Sequence, residues 1–168
     1  MLLRALAHVH FLVAHHLQAY DELFLETSCI YLTRENLNFN IKSVDKNYIL
    51  NHLLSQNPSA ARQTISNIWS QLDIFANRMQ INDVVIIPKK GKYCINVAVV
   101  EGEYEYHNNA VFPETHRRRI RIIAKNVDTN KFPRDLFYSL GAFRTIFEIK
   151  DSVKMVNELI KRGIDVNK

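Results

Sequence analysis

The chain has few of the residues that build special-purpose sites: 4 glycines, 4 prolines, 2 cysteines and 1 tryptophan among 168 residues. So few glycines nearly exclude the glycine-rich loops that cradle nucleotide phosphates. Because Cys29 and Cys94 lie in apolar stretches, we predict buried free thiols in a reducing environment rather than a disulfide scaffold. No apolar run reaches the roughly 18 residues of a membrane span, and no clean signal-peptide cleavage site follows the N-terminus. We therefore expect a cytoplasmic protein with no membrane partner.

The positive charge is concentrated towards the C-terminal end. The formal net charge is +5. Residues 1–112 hold 9 lysines and arginines against 10 acidic residues, a net of −1, whereas residues 113–168 hold 13 against 7, a net of +6. An apolar fraction of 47% is ordinary for a globular domain with a real core. This distribution permits a polyanionic partner such as nucleic acid without requiring one.

The hydrophobic pattern changes from helical to β-type near residue 80. One helix is predicted from Ser43 to about Leu54. Another is predicted to start at Asn57-Pro58, with Asn57 as N-cap and Pro58 as the first helical residue, and to run to about Met79. Beyond it, short apolar runs separated by turns are typical of an antiparallel sheet.

After the β-type segment, Asp151 is predicted to cap a last helix that Gly163 ends. The pattern predicts a single α+β domain over residues 1–168. Its parts are a helical and mixed front at about 1–80, a β part at about 82–150 and a terminal helix at about 151–163.

The densest run of positive charge, residues 116–121, alternates with a period of two. Arg117, Arg119 and Arg121 share one parity, while Arg118 and Ile120 share the other. This is typical of a strand with one buried face. One interpretation is a row of unpaired arginines that contacts DNA phosphates.

The alternative interpretation is a ladder of ion pairs across a hairpin whose loop is centred near residues 110–111. Opposite charges on facing strands favour one register. That register gives three pairs: Glu105–Arg117, Glu103–Arg119 and Glu101–Arg121. Exposed pairs contribute only about 0–1 kcal/mol each, so the ladder would mainly fix the register.

Arg118 has the parity of the buried residues and therefore needs a partner. It is either a structural arginine satisfied by backbone carbonyls and stacked on Tyr104, or part of a pocket. In the pocket, Trp69, Tyr104 and Tyr106 would stack a flipped base or nucleotide while Arg118 binds its edge or phosphate. Trp69 itself lies on an apolar helix stripe, which is the usual position of a core residue.

A second group of candidate phosphate contacts lies in the turn at residues 89–92. Lys89, Lys90 and Lys92 surround Gly91, and no carboxylate is near them in sequence. They are interpreted either as an ordinary solvated turn or as contacts to backbone phosphates that do not read sequence.

An ordered set of motifs between about Asn57 and Ile149 resembles the N-terminal domain of Mrr-like restriction endonucleases. The family motifs are a helix with Trp and Phe, a turn, an apolar strand ending in Pro, a Tyr-x-Tyr strand, a His-x-Arg strand and Asp-Leu-x-Tyr-Ser-x-Gly-Ala. Their counterparts in this chain are Trp69 and Phe75, Asn82-Asp83, residues 84–88, Ile95 with Gly102, Tyr104 and Tyr106, then His116, Arg118 and Ile120, and residues 135–142. The chain departs from the family pattern at Asn82, where the family has Gly, and at Ile122, where it has Trp.

The resemblance implies a small antiparallel PUA-like or SH3-like β-barrel in the C-terminal two-thirds, with flanking helices. It also implies a module that accompanies nuclease domains in defence systems against foreign DNA, some of which are thought to recognise modified DNA. It does not imply that this chain cuts DNA.

Signals for an enzyme or a metal site are weak in this sequence. Asp135 and Glu148-Ile149-Lys150 mimic the Asp…Glu-x-Lys spacing of metal-dependent nucleases. However, Asp135 lies in the barrel motif, and Lys150 abuts the cap of the last helix. His8, His10, His15 and His16 have no companions at zinc-site spacing. We therefore predict no catalytic residue, no metal and no cofactor.

The leading hypothesis is a non-catalytic module of a restriction or anti-phage defence system that binds double-stranded DNA or senses its modification. Any nuclease activity is expected from a separate domain or partner. A protein-interaction or oligomerisation domain that positions an effector is the alternative, and a small metal-dependent nuclease is a second alternative. Formation of a homo-oligomer is left open.

Overall fold

The structure, a computed structural model, describes residues 9–12, 18–89, 93–130, 132–135 and 146–166. Its helices are α1 (Gln18–Thr27), α2 (Lys46–Gln56), α3 (Arg62–Asp73) and α4 (Ser152–Lys161). A 3-10 turn at Ile41–Ser43 precedes α2, and a π-helical turn at Ile74–Arg78 directly follows α3. Its strands are β1 (Val9–Leu12), β2 (Cys29–Tyr31), β3 (Val84–Pro88), β4 (Cys94–Val100), β5 (Glu105–Tyr106), β6 (His116–Asp128) and β7 (Ile146–Glu148).

The strands form one sheet in the order β2-β6-β4-β3-β1-β7, and β5 also pairs with β6. β1 and β3 are parallel, while the other pairings among the described strands are antiparallel. Strand β6, with 13 residues, pairs with β2 on one side and with both β4 and β5 on the other. The arginine run therefore lies inside the sheet rather than at its edge.

Apolar side chains pack against both faces of the sheet in two clusters. The larger cluster joins the sheet to α1, α2 and α3, and the smaller joins it to α4. Strand β3 contributes to both, since Val85 and Ile87 lie in the larger cluster and Val84 and Ile86 in the smaller. All four are fully buried, which explains an apolar run without alternation. Full burial of each such side chain stabilises the fold by about 1.5–3 kcal/mol.

Two helix starts differ from the sequence prediction. Helix α2 is capped by Asp45, whose carboxylate accepts a hydrogen bond at 2.9 Å, and not by Ser43. Asn57, predicted to cap the next helix, instead ends α2, and its N–H donates to two carbonyls of the last turn at 3.2 Å each. Helix α3 begins later, at Arg62 after Ala61. The residue before a proline is driven out of the helical region, so Asn57-Pro58 ends a helix as readily as it starts one.

The helix ends are closer to prediction. The helical run of α3 continues through the π-helical turn, which the N–H of Met79 closes by donating to the Ile74 carbonyl at 2.9 Å. At α4, Asp151 accepts a hydrogen bond from the N–H of Lys154 at 3.0 Å. Gly163 follows with φ of +76°, in the left-handed region that glycine favours. The predicted cap and end of the last helix are confirmed.

The α+β class is confirmed, with a mostly antiparallel sheet and several helices. The path of described strands is open, because β2 and β7 lie at its two ends. Ile30 of β2 and Ile146 of β7 nevertheless belong to the same buried cluster. Both cysteines are free thiols, with Cys29 buried and Cys94 half-buried. Within the described ranges, no helix combines the length and the apolar character needed to cross a bilayer.

Candidate nucleic-acid interface

The outward-facing arginines of β6 form a row, which we call the arginine row: Arg117, Arg119 and Arg121. Arg119 is exposed, whereas Arg117 and Arg121 are half-buried. Arg118 and Ile120, of the other parity, are buried on the side of the larger cluster. The strand alternation therefore separates two populations of side chains. Arg119 is the most open of the row, with 68% of its side chain exposed.

Two of the three predicted ion pairs of the ladder are present. Arg117 donates to Glu105 at 3.0 Å, directly across the β5–β6 pairing. Arg121 donates to Glu101 at 2.7 Å. Hydrogen bonds from His107 and Arg117 hold the pKa of Glu105 below its usual value. The arginine row is thus partly neutralised by carboxylates of the neighbouring chain segment.

The third predicted pair, Glu103–Arg119, is wrong. Glu103 lies 3.7 Å from the ammonium of Lys42, and Arg119 lies 3.8 Å from Glu105. The reason is a bulge, because the N–H groups of Glu101 and Gly102 both donate to the Arg119 carbonyl, at 2.9 and 3.1 Å. At a bulge, two residues of one strand lie opposite a single residue of its partner, and the register of the strands changes there. The side-chain pairs beyond the bulge therefore differ from those predicted with one fixed register.

Gly102 allows this bulge to approach β6 closely. A Cβ atom at this position would lie 3.0 Å from the Cβ of Arg119 and 3.2 Å from its backbone nitrogen. Since both neighbours belong to the main-chain region of β6, they have little freedom to move away. The chain bends at Gly102, between β4 and β5, where this close contact with β6 occurs.

Arg118 is completely buried and is bound by three backbone carbonyls. Its guanidinium donates to the carbonyls of Phe75 at 2.6 Å, Ala76 at 3.1 Å and Gly102 at 3.1 Å. Phe75 and Ala76 lie in the π-helical turn after α3, where carbonyls lack intrahelical donors and a cation is favoured. Burial lowers the pKa of Arg118. These bonds support the structural interpretation of Arg118, and they leave none of its surface open to a ligand.

A second buried polar network connects β6 to the segment before α2. His116 donates from Nε2 to the Leu37 carbonyl at 2.7 Å, because a carbonyl can only accept. Its Nδ1 therefore accepts from the Tyr104 hydroxyl at 2.7 Å. The same hydroxyl oxygen accepts from the N–H of Ile41 at 3.2 Å. One arrangement of protons satisfies every member of this network.

The environment keeps both side chains of the network neutral. Burial lowers the pKa of His116, although the hydrogen bond to the Leu37 carbonyl acts in the opposite direction. Burial raises the pKa of Tyr104 to about 12. Neither side chain is available to a ligand, since Tyr104 is 8% and His116 is 1% exposed.

The other two residues of the predicted pocket lie at the margin of the larger cluster. Trp69 is half-buried, and the Lys46 ammonium lies 5.8 Å from its ring centre. The Tyr106 ring packs at 5.2 Å from His116, and its hydroxyl donates to Asn108 at 3.2 Å. With Tyr104 and Arg118 inside the core, the four residues do not form an open aromatic cage.

The lysine turn is only partly within the described residues. Lys89 donates to the side-chain oxygen of Asn126 at 2.8 Å. Lys90 and Lys92 lie outside the described residues, as do His8, His15 and His16. His10 lies in β1, where it pairs along the backbone with Val85 and Glu148.

The carboxylates of the nuclease alternative each contact a cation. Asp135 forms an ion pair with Lys154, and Glu148 forms one with Arg78. In the parts of the chain that the structure describes, no three His, Cys, Asp or Glu side chains come together as a metal site. The geometry of Asp135 and Glu148 therefore gives the nuclease alternative no support.

Together, the fold and this surface define an α+β domain that carries a basic strand face above an interior in which Arg118, His116 and Tyr104 are hydrogen-bonded. A family model described as a domain of unknown function, DUF8426, matches residues 35–150. The chain belongs to this family. The matched segment runs from the loop before α2 to the residues after β7 and includes β6 with both of its buried networks. No curated protein matches the chain.

Proposed function

We propose that this domain binds double-stranded DNA through its phosphate backbone without cutting it, as a module of a restriction or anti-phage defence system. The observation that carries the proposal is the arginine row, three guanidinium groups at alternate positions of one rigid central strand. Two carboxylates, Glu101 and Glu105, lie against these groups within 4 Å. Backbone contacts of this kind position a protein on DNA but do not read sequence.

The ion pairs of the row do not prevent phosphate binding. These ion pairs lie at the surface and are at least partly open to water. Because a surface ion pair contributes only about 0–1 kcal/mol, exchanging a carboxylate for a phosphate costs little. Arginine also binds phosphate with two parallel hydrogen bonds. Glu101 and Glu105 then act as internal competitors that hold the guanidinium groups in place until DNA arrives.

The resemblance to the N-terminal domain of Mrr-like restriction endonucleases supports the defence role and a cytoplasmic location, with nuclease activity in a separate domain or partner. It also favours a PUA-like or SH3-like barrel. A rolled sheet agrees with the shared burial of Ile30 and Ile146, which belong to the two end strands of the path. Recognition of a modified base by Arg118 and Tyr104 is not part of the proposal, because both side chains are buried.

The test is fluorescence anisotropy with a labelled duplex, as salt is raised from about 50 to 200 mM. Three phosphate contacts predict a slope of about −3 in log affinity against log salt. Arg119→Ala is expected to make the slope shallower by about 1. Arg62→Ala is the matched control, since it removes the same charge from an exposed residue at the start of α3, on the opposite face of the sheet.

A second variant tests the competitor role of the carboxylates. Glu105→Gln releases Arg117 and Arg119 from their shared partner and is therefore expected to tighten DNA binding. No binding by the wild type at about 50 mM salt, or equal losses in Arg119→Ala and Arg62→Ala, would contradict the proposal.

One observation favours a protein-interaction domain as a second candidate. Val111 and Phe112, at the tip of the hairpin between β5 and β6, are 82% and 37% exposed. Adjacent exposed apolar residues on a loop are a common feature of protein contacts. If Val111→Ser abolishes association with a co-purifying protein while DNA binding is absent, this second candidate replaces the first.

A further inference from the structure

His107 lies at the end of the arginine row that is nearest the hairpin tip. It directly follows β5 and has the parity of Glu105, so both side chains project from the same face. Its main chain is held on two sides, because its N–H donates to the Thr115 carbonyl at 2.8 Å and its carbonyl accepts from the N–H of Ala110 at 3.1 Å. The backbone therefore fixes where the imidazole leaves the strand, and 40% of this side chain is open to water.

One carboxylate is shared by this histidine and two arginines of the row. Nε2 of His107 and Nε of Arg117 each lie 3.0 Å from Oε2 of Glu105. Nε of Arg119 lies 3.8 Å from the other oxygen of the same carboxylate. The imidazole nitrogen is the donor, because a carboxylate can only accept. Two guanidinium groups against one carboxylate leave one positive charge in excess, and a proton on His107 adds a second.

The other titratable groups around this carboxylate keep their charge near neutral pH. Hydrogen bonds from the histidine and the neighbouring arginine lower the pKa of Glu105, which therefore stays ionised. Cys29 and Tyr31 of β2 lie beside the row, and burial raises the pKa of both, so they stay neutral. Glu114 of the hairpin lies near Tyr31, and glutamate side chains are ordinarily ionised above about pH 5. Histidine is the side chain whose charge ordinarily changes between about pH 5 and 8.

We propose that His107 is a further phosphate-binding residue at the end of the arginine row, and that its protonation makes DNA binding depend on pH. The inference rests on the proposed function. When His107 takes up a proton, three cations share the Glu105 carboxylate, which cannot neutralise all of them. A DNA phosphate beside the hairpin then balances the excess charge. By linkage, DNA binding favours the protonated imidazole, and the affinity for DNA rises as the pH falls.

The experiment is fluorescence anisotropy of the full chain with a labelled duplex at about pH 8 and about pH 6. One more phosphate contact predicts a salt slope steeper by about 1 at the lower pH, and binding tighter by about threefold to tenfold. His107→Gln keeps a donor for Glu105 but cannot take up a proton, so it is expected to lose this pH difference. His52→Gln is the matched control. His52 lies on α2, where its Nε2 contacts the Asn36 carbonyl at 2.7 Å, and the pH difference is expected to remain in this variant.

A second readout is the number of protons taken up when DNA binds, measured by calorimetry in two buffers of different ionisation enthalpy. At about pH 7 the wild type is expected to take up a fraction of one proton, and His107→Gln less. Equal affinities and salt slopes at the two pH values would overturn this inference alone, as would a pH difference that His107→Gln retains in full. No DNA binding at either pH would overturn the proposed function as well.

Discussion

The buried network of Tyr104 and His116 predicts a large effect from the loss of one oxygen atom. Tyr104→Phe keeps the ring, which packs edge-on against Phe75 at 6.3 Å and stacks on His116 at 5.9 Å. It leaves the N–H of Ile41 and Nδ1 of His116 without their partner. An unsatisfied buried polar group costs about 1–3 kcal/mol, so we expect a loss of about 2–4 kcal/mol in the free energy of unfolding.

Urea denaturation followed by circular dichroism measures this loss. With an m-value of about 2 kcal/mol/M, ordinary for a small domain, the midpoint is expected to fall by about 1–2 M. Tyr48→Phe is the matched control, because this tyrosine is 51% exposed and a surface change of this kind stays within about 0.5 kcal/mol. If Tyr104→Phe costs no more than Tyr48→Phe, the hydroxyl does not have the role assigned to it.

The same network predicts a loss of stability in mild acid. Because burial lowers the pKa of His116 in the folded state, the unfolded chain binds more protons once the pH falls below the ordinary histidine pKa of about 6.5. Its contribution is therefore complete above that pH and decreases as the pH falls towards the folded-state pKa, by at most about 1.4 kcal/mol per pH unit. His116→Gln is expected to flatten this dependence between about pH 6.5 and 5, and a wild type already flat there would refute the reasoning.

Three other predictions concern the frame around the arginine row. Arg118→Met leaves three carbonyls without their donors and is expected to cost about 3–5 kcal/mol, seen by calorimetry as a lower melting temperature; an unchanged value would contradict the buried-cation role. Gly102→Ala places a Cβ 3.0 Å from that of Arg119 and is expected to cost about 1–3 kcal/mol, whereas a neutral result in urea would show that the bulge can move. Asp151→Ala removes the cap of α4 and is expected to lower the free energy of unfolding by about 1 kcal/mol, measured by urea denaturation. Asp151→Asn is expected to keep most of the stability that the cap provides.

Local signals predicted the elements that depend on neighbours in sequence. The cap at Asp151, the end at Gly163 and the apolar strand that ends at Pro88 all rest on a few adjacent residues, and all three are present. Asn57-Pro58 failed because the same dipeptide suits the end of one helix and the start of another. The parallel pairing of β1 with β3 joins segments more than 70 residues apart, and no periodic pattern within either strand encodes such a pairing.

The arginine row was predicted only in part, because local patterns in the sequence reveal some of its contacts and not others. Parity alone separated Arg118 from its outward-facing neighbours, and charge complementarity predicted the ion pairs Glu105–Arg117 and Glu101–Arg121. The predicted pair Glu103–Arg119 was wrong because a bulge shifts the register, and this bulge depends on the close contact of Gly102 with β6. The acceptors of Arg118 are backbone carbonyls, which every residue has, and so no residue type in the sequence marked them.

The alternation along β6 has a consequence for how the sequence of this strand varies within the DUF8426 family. Positions 116, 118 and 120 each meet a fixed interior, two of them through hydrogen bonds that no other side chain reproduces. Positions 117, 119 and 121 face outward and require only that charge be shared with the strand beside them. An alignment of members is therefore expected to show near-invariance at every second residue, while the intervening residues change in step with positions 101 and 105. Under the proposed function, members whose arginine row has lost its charge are expected to show no DNA binding in the anisotropy assay.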